Sequence, residues 1–417
     1  MRETPRDLSD ECDRAAHTLE RSLVISPFEK LGLRPPLQAA LLDLGFSEPT
    51  PIQTLAIPPA LEGRDVLGSA ETGSGKTAAF GLPILQRLMD RPRGKTRALV
   101  LAPTRELADQ IAKHLTSLAK HTNVTVAAIY GGVGFRPQLK ALKRGADILV
   151  ATPGRLLDHV TQRTARLDDI EMLVLDEADR MLDMGFLPDV RRIISRVPTK
   201  RQTFFFSATL TAHISGPVRE ILRYPARIER AAKLAPVQTL SQTLYAVPQE
   251  KKTDLLVELL KDNSIYSAIA FTRTKARANR LAAALEKHRV PVNLIHGDRS
   301  QSQRTHALEN FKQGQYRVLV ATDIAARGID ISALGHVINY DVPLVAADYF
   351  HRVGRTARAK ASGDAITFVS SDEEPLIKQI EHTLGKRLER GINPLFPEAS
   401  TEPPKPRVVY RSRPRRR

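Results

Sequence analysis

The hydrophobic positions of this chain form short continuous runs that alternate with longer stretches of mixed polarity. Between about residues 25 and 228, the clearest runs are 98–102, 147–151 and 203–206. Apolar runs of this length are typical of strands that are buried on both faces of a parallel sheet. The pattern predicts an α/β domain at residues 25–230, with helices connecting the strands.

A second set of alternating runs follows a short connector. Residues 231–241 read as a linker, and the next strands are predicted at 268–271, 317–321 and 336–340. The chain is therefore predicted to contain two parallel-sheet domains, the second at residues 242–385.

The two ends of the chain differ from these domains in composition. Residues 1–24 are polar and of mixed charge, which fits either a short helix or a disordered extension. Residues 386–417 contain six prolines, ten Lys or Arg residues and three Glu residues. A segment of this composition cannot bury a core, so it is predicted to be a basic disordered tail.

A glycine-rich segment follows residues 65–68, which read Asp-Val-Leu-Gly. Residues 70–77 read Ala-Glu-Thr-Gly-Ser-Gly-Lys-Thr, which matches the phosphate loop Gly-x-x-x-x-Gly-Lys-Ser/Thr except at its first position. The glycines allow backbone N–H groups to turn toward phosphate oxygens, and the following helix adds its dipole. Lys76 is predicted to bind the outer phosphates and the Thr77 hydroxyl to ligate Mg²⁺. A flexible Gly-Ser turn is the alternative. The predicted nucleotide-binding residues here are Ala70, Glu71, Thr72, Gly73, Ser74, Gly75, Lys76 and Thr77.

An acidic cluster follows a later apolar run. Residues 170–175 are mostly apolar, and residues 176–179 read Asp-Glu-Ala-Asp. At the carboxyl end of a strand, Asp176 is predicted to face a magnesium ion and Glu177 the attacking water. A solvated loop or a helix N-terminus is the alternative, since carboxylates are favoured there. With a phosphate loop about a hundred residues upstream, the cluster indicates a nucleotide-hydrolysing enzyme.

Composition restricts the class of protein further. The 417 residues suffice for two or three domains, and no run approaches the length of a membrane span. The N-terminus has no apolar signal-peptide core. Cys12 is the single cysteine, which excludes an internal disulfide framework and a cysteine zinc site and fits a reducing cytoplasm.

The charge of the chain indicates the kind of partner. The formal net charge is +17 and the isoelectric point about 10.1. A basic protein of this kind favours a polyanionic partner, and nucleic acid is the first candidate. Solubility alone is the alternative explanation of the charge.

Taken in order, these motifs resemble those of the DEAD-box RNA helicases over roughly residues 26–385, and most closely the bacterial RhlE type. The family's adenine-reading segment is matched by residues 45–53, with an upstream aromatic at Phe28. The resemblance implies that Gln53 reads the adenine edge, since an amide offers a donor and an acceptor. It implies that Phe28 stacks on the base, and a core position for Phe28 is the alternative.

Further segments resemble the family's RNA-binding and coupling motifs. In the family the Ser-Ala-Thr segment couples hydrolysis to unwinding, which implies that Ser207 and Thr209 bond to Asp179. The other segments that resemble family motifs are residues 103–108, 131–132, 152–155, 271–273, 296–298, 300–304 and 321–330. The RNA contacts that the resemblance implies are Pro103, Arg105, Gly132, Thr152, Arg155, Thr272, Arg273, Gly297 and Thr322.

Residues 351–358 resemble the family's arginine-finger motif, with Ala357 where glycine is usual. The resemblance implies that Arg355 and Arg358 stabilise charge on the transferred phosphate, since a guanidinium forks onto phosphate oxygens. A solvated arginine-rich helix is the alternative. Asp330 is implied to bind the ribose.

The resulting prediction is a cytoplasmic enzyme of two RecA-like domains that binds ATP, Mg²⁺ and RNA. It hydrolyses ATP when RNA binds and locally separates short duplexes or remodels RNA–protein complexes, largely without regard to sequence. It is expected to be a monomer, with ribosomal or RNA-decay proteins as possible partners. Two alternatives remain open, namely a DNA helicase of the same superfamily and an ATP-gated RNA clamp or annealing protein.

Overall fold

The computed structural model describes residues 27–69, 73–207, 212–229, 240–326, 334–356 and 363–396. The chain divides into two compact units, unit 1 at Met1–Ala232 and unit 2 at Lys233–Arg417. The predicted N-terminal extension at 1–24 and most of the linker at 231–241 lie outside the described residues.

Unit 1 is built on a parallel sheet, as predicted. Among its described residues, the sheet has seven strands in the order β3-β4-β2-β5-β6-β1-β7, and every pairing is parallel. The strands are β1 Val66–Ser69, β2 Ala98–Leu101, β3 Val126–Ile129, β4 Ile148–Ala151, β5 Met172–Leu175, β6 Gln202–Ser207 and β7 Ala226–Glu229.

Helices connect these strands, and side-chain caps fix where some of them begin. The Thr50 side chain and Gln53 form a capping box, and Thr104 accepts a hydrogen bond from Leu107 N. The α-helices of unit 1 are α1 Pro35–Asp43, α2 Pro51–Leu61, α3 Lys76–Leu88, α4 Arg105–Leu118, α5 Phe135–Arg144, α6 Pro153–Thr161, α7 Ala178–Asp183, α8 Leu187–Ile194 and α9 Ala212–Ile221.

The apolar core of unit 1 lies on both faces of the sheet. Successive residues of a strand point to opposite faces, and β6 shows the consequence. Phe204 and Phe206 pack in one buried cluster, whereas Phe205 packs in the other. A Cβ on Gly68 would lie 2.5 Å from the Phe206 ring, so this glycine in β1 leaves room for the neighbouring aromatic.

Unit 2 repeats this architecture. Its described strands form a parallel sheet in the order β10-β11-β9-β12-β13-β8-β14, which is the order of unit 1 with β8 in the place of β1. The strands are β8 Leu240–Ala246, β9 Ala268–Thr272, β10 Val292–Ile295, β11 Val318–Thr322, β12 His336–Asn339, β13 Gly363–Val369 and β14 Glu389–Arg390. The α-helices are α10 Lys252–Leu259, α11 Lys275–Lys287, α12 Gln301–Lys312, α13 Asp323–Ala326, α14 Ala346–Val353 and α15 Glu374–Leu384.

The predicted domain boundaries need correction at both ends of unit 2. β8 begins at Leu240, inside the predicted linker, and the predicted tail begins before the last strand. Leu388 is buried, and Arg390 makes two hydrogen bonds to Glu374. The prediction of a disordered segment from residue 386 was therefore wrong for 386–396, because composition averaged over the whole tail hid one apolar side chain and a short edge strand.

The parallel arrangement brings several predicted motifs of unit 1 to one edge of its sheet. In unit 1, the phosphate loop follows β1, Pro103 follows β2, and the acidic cluster follows β5. All the strands point the same way, so these segments lie at the carboxyl edge, where open α/β sheets bind ligands. In the described part of the chain, no helix combines the length and apolarity needed to cross a membrane.

Candidate active site

The described half of the predicted phosphate loop has the glycine backbone that such a loop needs. Gly73 and Gly75 have φ angles of +83° and +95°, a region that favours glycine. A Cβ on Gly75 would lie 2.5 Å from Gln53 Nε2, so only glycine fits against that amide. The predicted helix follows as α3, which begins at Lys76. Ala70, Glu71 and Thr72 lie outside the described residues.

A buried ion pair joins the phosphate loop to the acidic cluster. Lys76 Nζ lies 3.6 Å from Asp176 Oδ1, and both side chains are buried. Burial raises the pKa of the Asp176 carboxyl, and the Lys76 ammonium opposes that shift. Two residues that are a hundred positions apart thus form one charged centre at the carboxyl edge of the sheet.

Oxygen ligands suited to Mg²⁺ are present at the same centre. The Thr77 hydroxyl and the Asp176 carboxylate are hard donors, which Mg²⁺ prefers together with nucleotide phosphates. Within the described ranges, no cluster of three or more His, Cys, Asp or Glu side chains could hold a metal by itself. The residues therefore fit a metal that arrives with a phosphate ligand.

Glu177 has strained backbone and a buried cationic neighbour. Its φ angle is +51°, unusual for a residue with a Cβ, and it forms the N-cap of α7. Its carboxylate accepts a hydrogen bond from Arg180 Nη1, three residues along the chain, and both side chains are buried. The sequence prediction did not include Arg180, although an i,i+3 spacing of opposite charges on a helix was its available signal.

The two residues predicted to recognise adenine are engaged within the protein. Gln53 is fully buried, its Oε1 accepts from Thr50 N at 2.9 Å, and its Nε2 donates to the Gly75 carbonyl at 3.2 Å. Phe28 is 1% exposed and packs edge-on against Phe46. Each of these bonds uses one hydrogen-bonding site of the Gln53 amide, and adenine recognition by Gln53 and Phe28 stays a prediction. Gln53 also ties its segment to the phosphate loop.

The predicted coupling residues lie at neighbouring strand ends. Asp179 is in α7, directly beyond β5, and Ser207 ends β6, which pairs with β5. Both side chains are buried, and Asp179 Oδ1 accepts a hydrogen bond from Arg180 N. A bond between Asp179 and Ser207 stays a prediction, and Thr209 lies outside the described residues.

Three of the predicted RNA-binding residues of unit 1 converge on the loop after β3. A Cβ on Gly132 would lie 1.9 Å from Arg105 Nη1, and its φ of +81° also favours glycine. Arg155 Nη1 donates to the Val133 carbonyl at 3.1 Å. Pro103 and Thr152 are buried at the ends of β2 and β4, so their side chains support the loops rather than lie open to a ligand.

In unit 2, two predicted RNA contacts are occupied by the fold. Thr272 is fully buried at the end of β9. Arg273 forms an ion pair with Glu373 at 2.8 Å and donates to the Val342 carbonyl. The sequence motif identified these two residues as candidates, but it did not indicate that other groups of unit 2 bury Thr272 and bind Arg273.

Two of the remaining predicted residues of unit 2 lie at the carboxyl edge of its sheet, whereas Arg355 precedes Thr356, whose hydroxyl bonds to the Leu334 carbonyl ahead of β12. Thr322 ends β11, Gly297 follows β10, and Arg355, which is 5% exposed, follows α14. Arg352 was not predicted, yet it is buried and binds Asp323 through two hydrogen bonds of 2.6 and 2.7 Å. Asp330 and Arg358 lie outside the described residues.

Comparison with protein families identifies both halves of the chain. Residues 50–215 match the model described as DEAD/DEAH box helicase, and residues 251–360 match the helicase conserved C-terminal domain. DEAD-box ATP-dependent RNA helicase CshA of Bacillus cereus (strain ATCC 10987 / NRS 248) is 43% identical over 375 residues, which is 90% of this chain and 71% of that relative. CshA of Bacillus subtilis (strain 168) is 43% identical over 372 residues, 89% of this chain and 75% of the relative.

Solved structures of relatives share the fold of this chain over most of its length. S. cerevisiae Dbp5 bound to RNA and ADP BeF3 matches with a TM-score of 0.80 and 32% identity, covering 88% of this chain and 95% of Dbp5. The helicase Mss116 bound to ssRNA and UDP-BeF matches with a TM-score of 0.78 and 28% identity, covering 86% of this chain and 78% of Mss116. The prediction of two RecA-like parallel-sheet domains is confirmed.

Proposed function

The chain belongs to the DEAD/DEAH box helicase family, and from this premise we propose that it is an ATP-dependent RNA helicase. It hydrolyses ATP when RNA is bound, and it locally separates short duplexes or remodels RNA–protein complexes. The observation that carries the proposal is the buried pair of Lys76 and Asp176 beside the glycine loop, because this arrangement suits a nucleotide triphosphate with its metal.

Each residue of this centre has a distinct role in the proposal. Lys76 binds the outer phosphates, and the N–H groups around Gly73 and Gly75 surround them. Thr77 and Asp176 hold Mg²⁺, which supplies positive charge to the phosphates when bound. Glu177 orients the attacking water and accepts its proton. Its carboxylate also accepts a bond from Arg180 Nη1, which leaves it further sites to accept a proton from water.

The proposed RNA contacts are to the backbone and therefore independent of sequence. Arg105, Gly132 and Arg155 already lie around one loop of unit 1, which supports a phosphate-binding role there. Gly297 and Thr322 contribute from unit 2. Relatives in solved complexes bind RNA, which supports the same ligand for this chain.

Several further assignments in both units rest on the resemblance of the sequence to the family. Arg355 and Arg358 stabilise charge on the γ-phosphate, Asp330 binds the ribose, and Ser207 and Thr209 couple hydrolysis to RNA through Asp179. Gln53 and Phe28 contact adenine, and Gln53 also bonds to the Thr50 N–H and the Gly75 carbonyl within the protein.

The placement within the family and the cell is also proposed. The RhlE type remains our proposal for the subgroup, whereas the relatives compared above carry the name CshA. A cytoplasmic location is supported by the single cysteine. A monomer that meets ribosomal or RNA-decay proteins is the simplest organisation for such an activity.

One set of assays tests the function. The full chain is assayed for ATP turnover without nucleic acid, with single-stranded RNA and with DNA of the same sequence, and for separation of short RNA duplexes with and without overhangs. Stimulation by RNA but not by DNA, with duplex separation, is expected. Equal stimulation by DNA would favour a DNA helicase, and RNA binding without turnover would favour an ATP-gated clamp.

A further inference from the structure

Helix α5 of unit 1 carries a row of exposed cations that the site described above does not use. Arg136, Lys140, Lys143 and Arg144 are all exposed. Their spacing of four, three and one residues places them on one side of the helix, since residues three and four apart are neighbours. A rise of about 1.5 Å per residue makes this row about 12 Å long.

The row has no carboxylate partner within the described residues. Residues 135–144 contain no Asp or Glu, and among the described residues none of the four cations forms an ion pair with a carboxylate. Other helices of unit 1 differ in this respect. Lys113 of α4 pairs with Asp109, and Arg192 of α8 pairs with Asp189.

Helix stability does not explain the row. Like charges at i,i+4 destabilise a helix, and a cation in the first turn opposes the helix dipole. Lys143 and Arg144 suit the last turn, but Arg136 is at the second position of α5, where a cation is unfavourable. An anion bound from outside would offset both effects.

The position of α5 is fixed next to the proposed RNA contacts. The helix begins three residues after Gly132, and the carbonyl between them, that of Val133, accepts the hydrogen bond from Arg155. The Phe135 ring stacks on the His159 ring of α6, with a distance of 4.0 Å between the ring centroids and an interplanar angle of 11°. On the inner face, Gln138 Nε2 donates to the Tyr130 carbonyl at 2.9 Å.

We propose that the exposed face of α5, formed by Arg136, Lys140, Lys143 and Arg144, is an additional binding surface for the RNA phosphate backbone. The proposal rests on the proposed function, which places RNA at Gly132 and Arg155. The surface continues the RNA path from that loop down the side of unit 1. At one phosphate per about 3.4 Å of each strand of a duplex, a row of this length meets about three phosphates.

The test removes three charges from α5 and compares an equal loss elsewhere. The variant carries Arg136→Gln, Lys140→Gln and Lys143→Gln. The control carries Arg64→Gln, Arg196→Gln and Lys200→Gln, which are exposed cations of unit 1 without ion pairs in its described residues. Arg64 and Lys200 precede β1 and β6 and so lie at the opposite, amino edge of the sheet. A charge-preserving variant, Arg136→Lys with Lys140→Arg and Lys143→Arg, completes the set.

Affinity for fluorescent single-stranded RNA is measured at several salt concentrations, with a strand of about six and one of about twenty nucleotides. For the longer strand, each lost contact flattens the log–log salt slope by about 0.7. If two contacts are lost, raising the salt concentration from 50 to 200 mM should lower the affinity of the wild type about sevenfold more than it lowers that of the variant. The shorter strand, held by the loop contacts, should be affected less.

The outcomes separate this proposal from the proposed function. Weaker binding and a flatter slope in the Gln variant, with the control and the charge-preserving variant unchanged, support the surface. An equal or higher melting temperature of the Gln variant is expected as well, since like-charge repulsion is removed. RNA affinity and salt slope equal to those of the wild type overturn the surface. If α5-dependent RNA binding is present but RNA does not stimulate ATP turnover, the surface stands and the proposed function fails.

Discussion

The two units share one strand order, but the lysine that follows the first strand has different surroundings in each. In unit 1, Lys76 begins α3 and lies 3.6 Å from Asp176, which follows β5. In unit 2, Lys252 begins α10 and lies 3.9 Å from Asp341, which follows β12, the strand in the place of β5. The same lysine–aspartate pair therefore occurs twice at the same position of the fold.

In unit 2, other groups of the protein surround the lysine of this pair. Lys252 is fully buried, its Nζ lies 2.5 Å from a Glu373 oxygen, and it also donates to the carbonyls of Tyr340 and Phe368. Burial lowers the pKa of Lys252, and Glu373 opposes that shift. Asp341 in turn pairs with Arg277.

The segment before each lysine explains the difference. Unit 1 has Gly73 and Gly75 at positive φ, whereas residues 247–251 of unit 2 read Val-Pro-Gln-Glu-Lys and contain no glycine. Without glycine, the backbone N–H groups cannot form a phosphate cradle. One copy of the pair thus suits a ligand, and the other stabilises its own domain.

Removing Lys76 should have the largest effect on activity. In Lys76→Ala, the side-chain cation of the loop is lost, so ATP binding should weaken severely and turnover should fall below detection. Steady-state ATPase assays with saturating RNA measure this. Lys95→Ala, which removes an exposed lysine of the same unit, serves as the control. Near-normal turnover in Lys76→Ala would show that unit 1 does not use its pair for phosphate binding.

The second prediction separates chemistry from binding in unit 1. Glu177→Gln keeps the shape of the side chain but cannot accept a proton, so turnover should fall by a factor on the order of 10² to 10⁴. ATP-dependent RNA binding should persist, because the bound state is no longer discharged by hydrolysis. Glu171→Gln, which alters an ion-paired carboxylate at the start of β5, should leave turnover unchanged. A folded Glu177→Gln variant that no longer binds RNA with ATP would contradict the assignment.

The matching change in unit 2 should affect stability instead. Lys252→Met removes the cation that Glu373 and Asp341 share, but each carboxylate keeps an arginine partner, so stability should fall by less than the cost of a fully broken buried pair, which is about 3–5 kcal/mol. The chain has no tryptophan, so urea unfolding is followed by circular dichroism and amide hydrogen exchange in unit 2. The control is Lys251→Met, which removes a half-exposed lysine one residue earlier.

Addition of Glu373→Gln to Lys252→Met should restore part of the stability, because it removes one of the two buried carboxylates that have lost the lysine. A Lys252→Met variant as stable as the wild type would mean that the two pairs do not differ in the way described. Loss of turnover without loss of stability would point to a ligand at unit 2.

The sequence predicted the fold and the glycine turn before the helix at Lys76 because both depend on local patterns. Continuous apolar runs marked strands buried on two faces, and the glycine loop required a helix at Lys76, where α3 begins. Lys252 gave no such signal, since a lysine at a helix start is ordinary among 63 Lys and Arg residues. Its role depends on partners about 90 and 120 residues away, which only the folded chain brings together.

The same limit applied to single residues of the motifs. The pattern identified Gln53 and Thr272 by type, but their burial and their hydrogen bonds are set by packing against other segments. Leu388 shows the reverse case, a buried residue within a segment whose average composition predicted disorder. Averages over long windows lose such short edge strands.

The smallest expected effect concerns β14, which pairs with β8 as β7 pairs with β1. Deleting 386–417 removes β14, Leu388 and the ion pair of Arg390 with Glu374, whereas deleting 397–417 leaves all three. Loss of buried Leu388 costs about 1.5–3 kcal/mol, and the partly exposed ion pair adds at most about 1 kcal/mol. The shorter deletion should therefore unfold like the full chain, and the longer one at lower urea concentration. Because the shorter deletion removes seven basic and two acidic residues, it should still lower RNA affinity at low salt. Identical urea midpoints for the two deletions would show that β14 contributes nothing to unit 2, and that its sheet, unlike that of unit 1, is complete without a seventh strand.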